Sequence, residues 1–190
     1  MRVTGGCLAG RGLKMPKGAR IRPSQDRVRA ALFNLLGEKI IGARVLDLFS
    51  GSGALGIEAF SRGAGHVTFV EQSGFCVEAI RRNLEALDLS RDPSKYSLRR
   101  GDAVTAVRQM ARRGAQFDLV LLDPPYDGEL ARISLIAIGR YAIVSRTGWV
   151  VVEHGKREIL PAEISEQGNR LVSQRVERYG DTALTLYQRQ

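Results

Sequence analysis

The chain has 190 residues, of which 44% are apolar, and a formal net charge of +9. This length fits one compact domain with a sizeable core, and the apolar fraction excludes an intrinsically disordered chain. No apolar stretch approaches the ~20 residues of a membrane span, and the first residues contain no secretory apolar core, so we expect a cytoplasmic protein.

The positive charge is concentrated towards the amino terminus. Residues 1–44 contain 10 Lys/Arg and 2 Asp/Glu, a balance of +8, and residues 45–190 contribute only the remaining +1. Segregated basic charge of this kind indicates a surface for a polyanion, of which nucleic acid is the commonest. The alternative is a solvated basic face that has no partner.

Residues 1–23 combine glycine and proline with basic side chains, which predicts a basic arm or a small hairpin in front of a single globular domain over 24–190. The hairpin would pair residues 2–4 with residues 12–15. Such a segment can stay mobile until it meets a phosphate backbone. The basic side chains that we expect to bind phosphates, and so to position RNA without reading its sequence, are Arg2, Arg11, Lys14, Arg20 and Arg22.

A helix is predicted to begin at Ser24, whose hydroxyl can cap the first turn. Asp26 suits the positive end of the helix dipole, and apolar residues recur at helical spacing as far as Leu36. Gly37 or Gly42 is expected to end this helix.

Residues 45–56, with the sequence VLDLFSGSGALG, are the stretch around which the chain is organised. They read as a buried strand, a glycine turn and the start of a helix. Gly51 and Gly53 permit backbone conformations that other residues avoid, and they let a ligand approach the main chain. The N–H groups at the start of the helix would point at that ligand. With Gly56 they complete a dinucleotide fingerprint, which alone is a weak signal.

Strands and helices then alternate, which predicts an α/β, Rossmann-like fold with a mostly parallel, seven-stranded sheet. The last segment has two strands around a Tyr-Gly-Asp turn, so we expect an antiparallel carboxyl-terminal hairpin to close the sheet. The predicted elements after the glycine turn are strands at 66–71, 96–100, 117–123, 148–154, 171–178 and 182–188, and helices at 74–88, 103–112, 129–141 and 161–164.

Four acids come at or near the ends of predicted strands, where parallel sheets bind ligands: Asp47, Glu71, Asp102 and Asp123. Glu71 lies about 20 residues after the glycines, the position of a ribose-binding carboxylate, although a solvated strand end is the alternative. So many carboxylates match a pyrophosphate poorly. They suit a cationic nucleoside ligand such as S-adenosylmethionine.

These motifs, with Asp-Pro-Pro-Tyr at 123–126, resemble those of class I S-adenosylmethionine-dependent methyltransferases. Arg-Pro-Ser-x-Asp at 22–26, Gly-Ala-Leu-Gly-Ile-Glu-Ala at 53–59 and Tyr-Gly-Asp-Thr at 179–182 resemble more narrowly the RsmD family. Ser24 stands where Thr is commoner, a departure that keeps the hydroxyl. Enzymes of that family methylate the N2 amine of a guanine in 16S ribosomal RNA.

The resemblance implies roles for individual residues. In related enzymes Glu71 would bind the ribose diol, and Asp102 with the Ala103 main chain would bind the adenine edge. Gly51 and Gly53 would bind the methionine part, and Asp47 would reach its amino group directly or through water. The implied cofactor-binding set is Asp47, Phe49, Ser50, Gly51, Gly53, Glu71, Gln72, Asp102, Ala103, Asp123 and Ser24. The implied substrate is 16S ribosomal RNA or a small-subunit assembly particle, bound by a monomer that uses no metal and no membrane.

Asp123, Pro124, Pro125 and Tyr126 are the predicted catalytic residues. An exocyclic base amine is a poor nucleophile because its lone pair is delocalised into the ring. Asp123 and the Pro124 carbonyl can accept its two N–H bonds and turn the lone pair towards the methyl carbon, while the prolines hold these acceptors rigidly. Tyr126 can stack on the extruded base.

Other interpretations remain open. Asp-Pro-Pro-Tyr also serves adenine N6 in DNA methyltransferases, although the chain is short for a separate DNA-recognition domain. The glycines alone would fit a nicotinamide-dependent oxidoreductase, in which Asp-Pro-Pro-Tyr has no role and ends a strand. A non-catalytic RNA-binding module with the same fold would bind RNA and no cofactor. Cys7 and Cys76 have neither zinc-ligand nor disulfide spacing, so neither points to a metal.

Overall fold

A computed structural model describes residues 1–16, 24–125 and 129–190, with Ser24 and Gln25 described by their backbone alone. Three predicted site residues, Arg20, Arg22 and Tyr126, lie outside the described residues, as does the side chain of Ser24. Internal contacts divide the chain into two units, Met1–Gly101 and Asp102–Gln190.

The described residues form five α-helices and eight strands. The helices are α1 (Ser24–Leu36), α2 (Ala54–Ser61), α3 (Gly74–Ala86), α4 (Ala103–Arg112) and α5 (Glu129–Tyr141). The strands are β1 (Arg44–Leu48), β2 (His66–Glu71), β3 (Tyr96–Arg100), β4 (Phe117–Leu122), β5 (Val144–Gly155), β6 (Glu163–Glu166), β7 (Asn169–Tyr179) and β8 (Thr182–Arg189). Within these residues no helix is both long and apolar enough to cross a membrane.

The first unit is built on three parallel strands, in which β2 pairs with β1 on one side and with β3 on the other. From Val45 onward every residue of β1 is buried, as expected for a strand covered on both faces. The first helix ends at Leu36 because Gly37 takes a left-handed conformation, with φ of +53°. Parallel pairing brings the carboxyl ends of β1 and β2 to the same edge.

Gly56 sets the distance between α2 and the strands beneath it. A side chain at this position would overlap the Phe69 ring and would come within 2.9 Å of the Val67 side chain. A residue without a side chain is therefore required here by packing, and α2 lies directly on β2.

In the second unit β4 pairs with β5 in parallel, and the remaining pairings are antiparallel: β5 with β8, β8 with β7, and β7 with β6. The predicted carboxyl-terminal hairpin is therefore confirmed as β7 and β8. Strand β5 begins at Val144, earlier than the predicted start at residue 148.

The helix predicted at 161–164 is wrong. Residues Glu163–Glu166 form β6, an eighth strand where seven were predicted, and Ile164 is its buried residue between two exposed neighbours. Ile164 packs against α5, where a side chain at Gly139 would come within 2.8 Å of it. Four residues are only about one helical turn, so the alternation of a strand and the period of a helix cannot be distinguished in this segment without the partner strand.

Residues 1–16 form a small antiparallel turn that packs against the rest of the first unit. Arg2 and Gly12 form an antiparallel bridge, and the Val3 amide donates to the Arg11 carbonyl at 2.9 Å. Val3 and Leu13 are buried in the unit's core. This part of the basic segment is thus anchored by its apolar residues, whereas Arg2, Arg11 and Lys14 are exposed.

Candidate cofactor and substrate site

The turn between β1 and α2 has an unusual backbone. Phe49, Gly51 and Gly53 all have positive φ, of 62°, 54° and 80°. For Phe49 this conformation is strained, and such strain is concentrated at functional sites. The Gly53 amide donates to the Ser50 carbonyl at 2.7 Å, which closes the turn immediately before α2 begins at Ala54.

Ser50 fixes this turn to β2. Its hydroxyl donates to the Asp47 carbonyl at 2.7 Å and accepts from the Val70 amide at 3.1 Å. The Ser50 side chain is buried and engaged with main chain, so its contribution is to shape the turn that the glycines form.

Glu71 ends β2 and holds the glycine turn from the neighbouring strand. One carboxylate oxygen accepts from the Gly51 amide at 2.8 Å and the other from the Ser73 amide at 2.8 Å. Each oxygen has further lone pairs, so the carboxylate can still accept hydrogen bonds from a ribose diol. Gln72 follows it as an exposed residue.

Asp47 is fully buried in β1. Its Oδ2 accepts from the Gly56 amide at 2.9 Å, and among the described residues its Oδ1 has no hydrogen-bond partner. Burial raises the pKa of Asp47 to about 7, the nearby Glu71 charge adds to this rise, and the Gly56 bond opposes it. A buried carboxylate with an unused oxygen fits a cationic group of a ligand, such as the ammonium of S-adenosylmethionine.

In the second unit, Asp102 caps α4. Its Oδ1 accepts from the Thr105 amide at 2.8 Å, while the residue as a whole is exposed. Ala103 is buried at the first position of the helix, where a main-chain N–H has no partner within the helix. This pair offers one remaining carboxylate oxygen and one N–H, the two groups that an adenine edge needs.

Asp123 and the two prolines follow β4, also in the second unit. The strand's last residue, Leu122, is buried and paired with Val152 of β5, so the point where Asp123 emerges is fixed. Asp123 is half-buried, Pro124 buried and Pro125 exposed. The prolines add no N–H donor, so the acceptors at 123 and 124 face no competing main-chain group from residues 124 and 125.

Two residues with extensive contacts, Asn83 and Glu58, were not identified in the sequence. Asn83 of α3 is buried and Glu58 of α2 is buried completely. Each lies on an apolar helix face, and a polar residue in such a place is a recognisable signal of a specific partner. The sequence does not indicate these partners, because Thr4 is 54 residues from Glu58 and Lys14 is 69 residues from Asn83 along the chain.

The strand–turn–helix with its glycines, the acid ending β2 and the antiparallel closing hairpin together define the class I methyltransferase fold. A family model described as "Conserved hypothetical protein 95" matches residues 1–188. The chain belongs to this family, the RsmD family, and the resemblance seen in the sequence is confirmed.

Among curated proteins, the chain is 37% identical to the "Putative rRNA methyltransferase YlbH" of Bacillus subtilis over 189 residues, covering 100% of the chain and 99% of the relative. It is 32% identical to the "Ribosomal RNA small subunit methyltransferase D" of Haemophilus influenzae, covering 93% and 92%.

Among solved structures, a "Putative methyltransferase yhhF" from Escherichia coli matches with a TM-score of 0.82 and 30% identity, covering 100% of this chain and 98% of that one. A Thermus thermophilus 16S rRNA N2 G1207 methyltransferase (RsmC), solved with AdoMet and guanosine, matches with a TM-score of 0.67 and 20% identity, covering 90% and 44%. The latter likeness concerns the fold alone.

Proposed function

We propose that this protein transfers a methyl group from S-adenosylmethionine to an exocyclic base amine of ribosomal RNA, and that the amine is guanine N2 of 16S ribosomal RNA. The observation that carries the proposal is the Asp47 carboxylate, which is buried at the glycine turn with Oδ1 unpartnered among the described residues. Because the pKa of Asp47 is about 7, the ammonium of a methyl donor would draw this carboxyl into its charged form and be bound by it, whereas a pyrophosphate would gain no contact from it. The names of two relatives, an rRNA methyltransferase and a small-subunit ribosomal RNA methyltransferase, support methylation of ribosomal RNA.

In the proposed mechanism the donor supplies an electrophilic methyl group, and the protein supplies position. Glu71, the Gly51 and Gly53 main chain and Asp47 hold the donor, and Asp102 with Ala103 binds its adenine. Asp123 and the Pro124 carbonyl accept the two N–H bonds of the base amine, which localises the nitrogen lone pair for attack. Fixing the reactants in this way can supply about 7–11 kcal/mol of the barrier reduction. The nitrogen would take the methyl group as the donor's carbon–sulfur bond breaks with its electron pair kept by sulfur, and Asp123 would accept the proton that the nitrogen loses.

The proposed substrate is naked 16S ribosomal RNA or a small-subunit assembly particle, and the protein would act on it as a cytoplasmic monomer. Guanine N2 is favoured over adenine N6 by family membership, since the tetrapeptide suits both amines. The RNA-binding role is proposed for Arg2, Arg11 and Lys14, which are exposed on the anchored segment, and for Arg20 and Arg22.

Calorimetric titration of the purified protein with S-adenosylmethionine and with NAD tests the donor. We expect saturable binding of S-adenosylmethionine and none of NAD, because the unused Asp47 oxygen offers an acceptor to an ammonium group and nothing to a pyrophosphate. Incubation with unmethylated 16S ribosomal RNA and a radiolabelled donor should then place the label on guanine N2. NAD binding without donor binding would refute the proposal, RNA binding without donor binding would indicate a non-catalytic module, and label on adenine N6 of DNA would correct the substrate.

Reversing two charges on the anchored segment, Arg11→Glu together with Lys14→Glu, should weaken RNA binding. The slope of log K against log salt is negative, and each lost phosphate contact reduces its magnitude by about 0.7 for single strands, so the pair should reduce it by ~1.4. Affinities measured at several salt concentrations give this slope.

The matched control reverses two exposed charges at the far end of α4, Arg112→Glu with Arg113→Glu, and so changes net charge equally. Its effect on the salt slope should be smaller than that of the first pair. Equal slopes for both double variants would remove the amino-terminal segment from the RNA interface.

A further inference from the structure

Asn83 joins two parts of the first unit that have separate proposed tasks. The residue lies on α3 and is only 1% exposed. Its Oδ1 accepts from the Lys14 amide at 2.8 Å, and its Nδ2 donates to the Lys14 carbonyl at 3.0 Å. The same Nδ2 donates to the Ser52 carbonyl at 2.9 Å. One side-chain amide therefore binds both main-chain groups of Lys14 and the carbonyl of Ser52.

The Lys14 end of this link belongs to the basic segment. Lys14 is exposed, while its neighbour Leu13 is buried, so the main chain at this point is fixed and the ammonium faces solvent. Arg11 adds a second tie to α3, where its guanidinium donates to the Ala86 carbonyl at 2.9 Å. A phosphate bound by Arg11 and Lys14 would pull on the Lys14 main chain, which Asn83 holds through two hydrogen bonds.

The Ser52 end belongs to the glycine turn. Ser52 is buried between Gly51 and Gly53, the residues proposed to bind the donor's methionine part. The orientation of the Ser52 peptide determines that of the adjoining Gly53 N–H, because the peptide unit is planar. That N–H donates to the Ser50 carbonyl and closes the glycine turn, so a shift of the Asn83 amide would disturb the turn at the proposed donor site.

The three hydrogen bonds share one rigid group. The amide of Asn83 is planar, so it cannot follow a displacement of Lys14 and keep its bond to Ser52 unchanged. A buried amide that loses a partner is costly, so Lys14 and Ser52 are constrained to move together.

We propose that Asn83 is a positioning residue that couples RNA binding at the amino-terminal segment to donor binding at the glycine turn. The inference rests on the proposed function, since it takes RNA and S-adenosylmethionine as the two ligands. Coupling between sites is reciprocal, so each ligand raises the affinity of the other by the same factor. A factor of about fivefold or more is within the usual range for such coupling.

The test measures the dissociation constant of sinefungin, a non-transferable cationic analogue of the donor, with and without saturating 16S ribosomal RNA. In the wild-type protein RNA should tighten sinefungin binding by about fivefold or more. In Asn83→Ala the two constants should agree within twofold, although the variant still binds each ligand alone. Asn83→Asp keeps the acceptor for the Lys14 amide but loses both donated bonds, so it should also lose the coupling and serves if the alanine variant fails to fold.

Ser61→Ala is the matched control. The Ser61 hydroxyl accepts from the Leu8 amide at 2.9 Å and donates to the Gly5 carbonyl, so it also anchors the segment. No bond connects this hydroxyl to the glycine turn among those of the described residues. Its removal loosens the segment while leaving the Asn83 link intact, and the RNA-dependent gain in sinefungin affinity should persist.

Full coupling in both Asn83 variants would overturn the inference, as would a wild-type protein that binds and methylates RNA without any coupling. Loss of coupling in Ser61→Ala to the same extent as in Asn83→Ala would also overturn it, because general loosening of the segment would then explain both. A wild-type protein that binds no RNA would overturn the proposed function together with this inference, and the titrations of each ligand alone distinguish that case.

Discussion

Replacing Asp123 with alanine is expected to reduce methyl transfer by about 10²–10³-fold or more while changing the donor's dissociation constant only slightly. Removing one preorganised group of an active site typically costs this much in turnover. Asp123 follows the buried end of β4 and is half-buried, and the two prolines after it restrict the backbone at this point. Single-turnover rates with saturating RNA, together with donor titrations, measure both quantities.

Glu71→Ala is the matched comparison, since it removes another strand-end carboxylate of the proposed site. It frees the Gly51 and Ser73 amides and removes the acceptor of the ribose diol, so the donor's dissociation constant should rise by about 10-fold or more. The single-turnover rate at saturating donor should fall far less than in Asp123→Ala. If Asp123→Ala instead methylated RNA at the wild-type rate, the proposed alignment of the amine would be wrong.

Among the proposed substitutions, Glu58→Ala is expected to cause the largest loss of unfolding free energy. The fully buried carboxylate accepts from the Arg29 side chain at 3.3 Å, the Arg62 side chain at 2.9 Å and the Thr4 amide at 2.7 Å. The Arg29 guanidinium, itself buried, also donates to the Arg2 carbonyl. Removing one partner of a buried ion pair leaves an uncompensated charge and costs ~3–5 kcal/mol. Glu58→Ala should therefore lower the free energy of unfolding by about that amount, measured by urea denaturation.

Glu78→Ala is the control for Glu58, because Glu78 forms a single exposed ion pair with Arg82 at 2.9 Å on α3. An exposed helical pair contributes about 0.3–0.5 kcal/mol, so this variant should unfold almost as the wild type does. Similar losses in the two variants would contradict the predicted cost of removing the buried Glu58 carboxylate.

The parts of the fold that the sequence predicted are those with local signals. The glycine turn, the strand ending at Glu71 and the helix Ala103–Arg112 each have a period, a cap or a turn residue within a few positions. The spacing of strand-end acids along alternating elements was likewise enough to indicate a cationic nucleoside ligand.

The parts that the sequence did not predict depend on distant partners. β6 is a strand because β7 lies beside it, and four residues cannot display that preference alone. The anchoring of the amino-terminal segment depends on Glu58 and Asn83, which meet Thr4 and Lys14 only after the chain has folded. The glycine-rich, basic composition of this segment predicts its charge and mobility. It does not reveal that the two apolar residues Val3 and Leu13 anchor the segment in the core.

The contact between Gly56 and the Phe69 ring bears on how the three glycines of the fingerprint are interpreted. Gly51 and Gly53 belong to the turn, whereas Gly56 is required because α2 packs closely on β2. Two proteins with unrelated ligands can have the same close distance between helix and strand, and both then need the third glycine. The three-glycine motif is therefore partly a requirement of helix–strand packing. The identity of the ligand is indicated by the carboxylates near the turn.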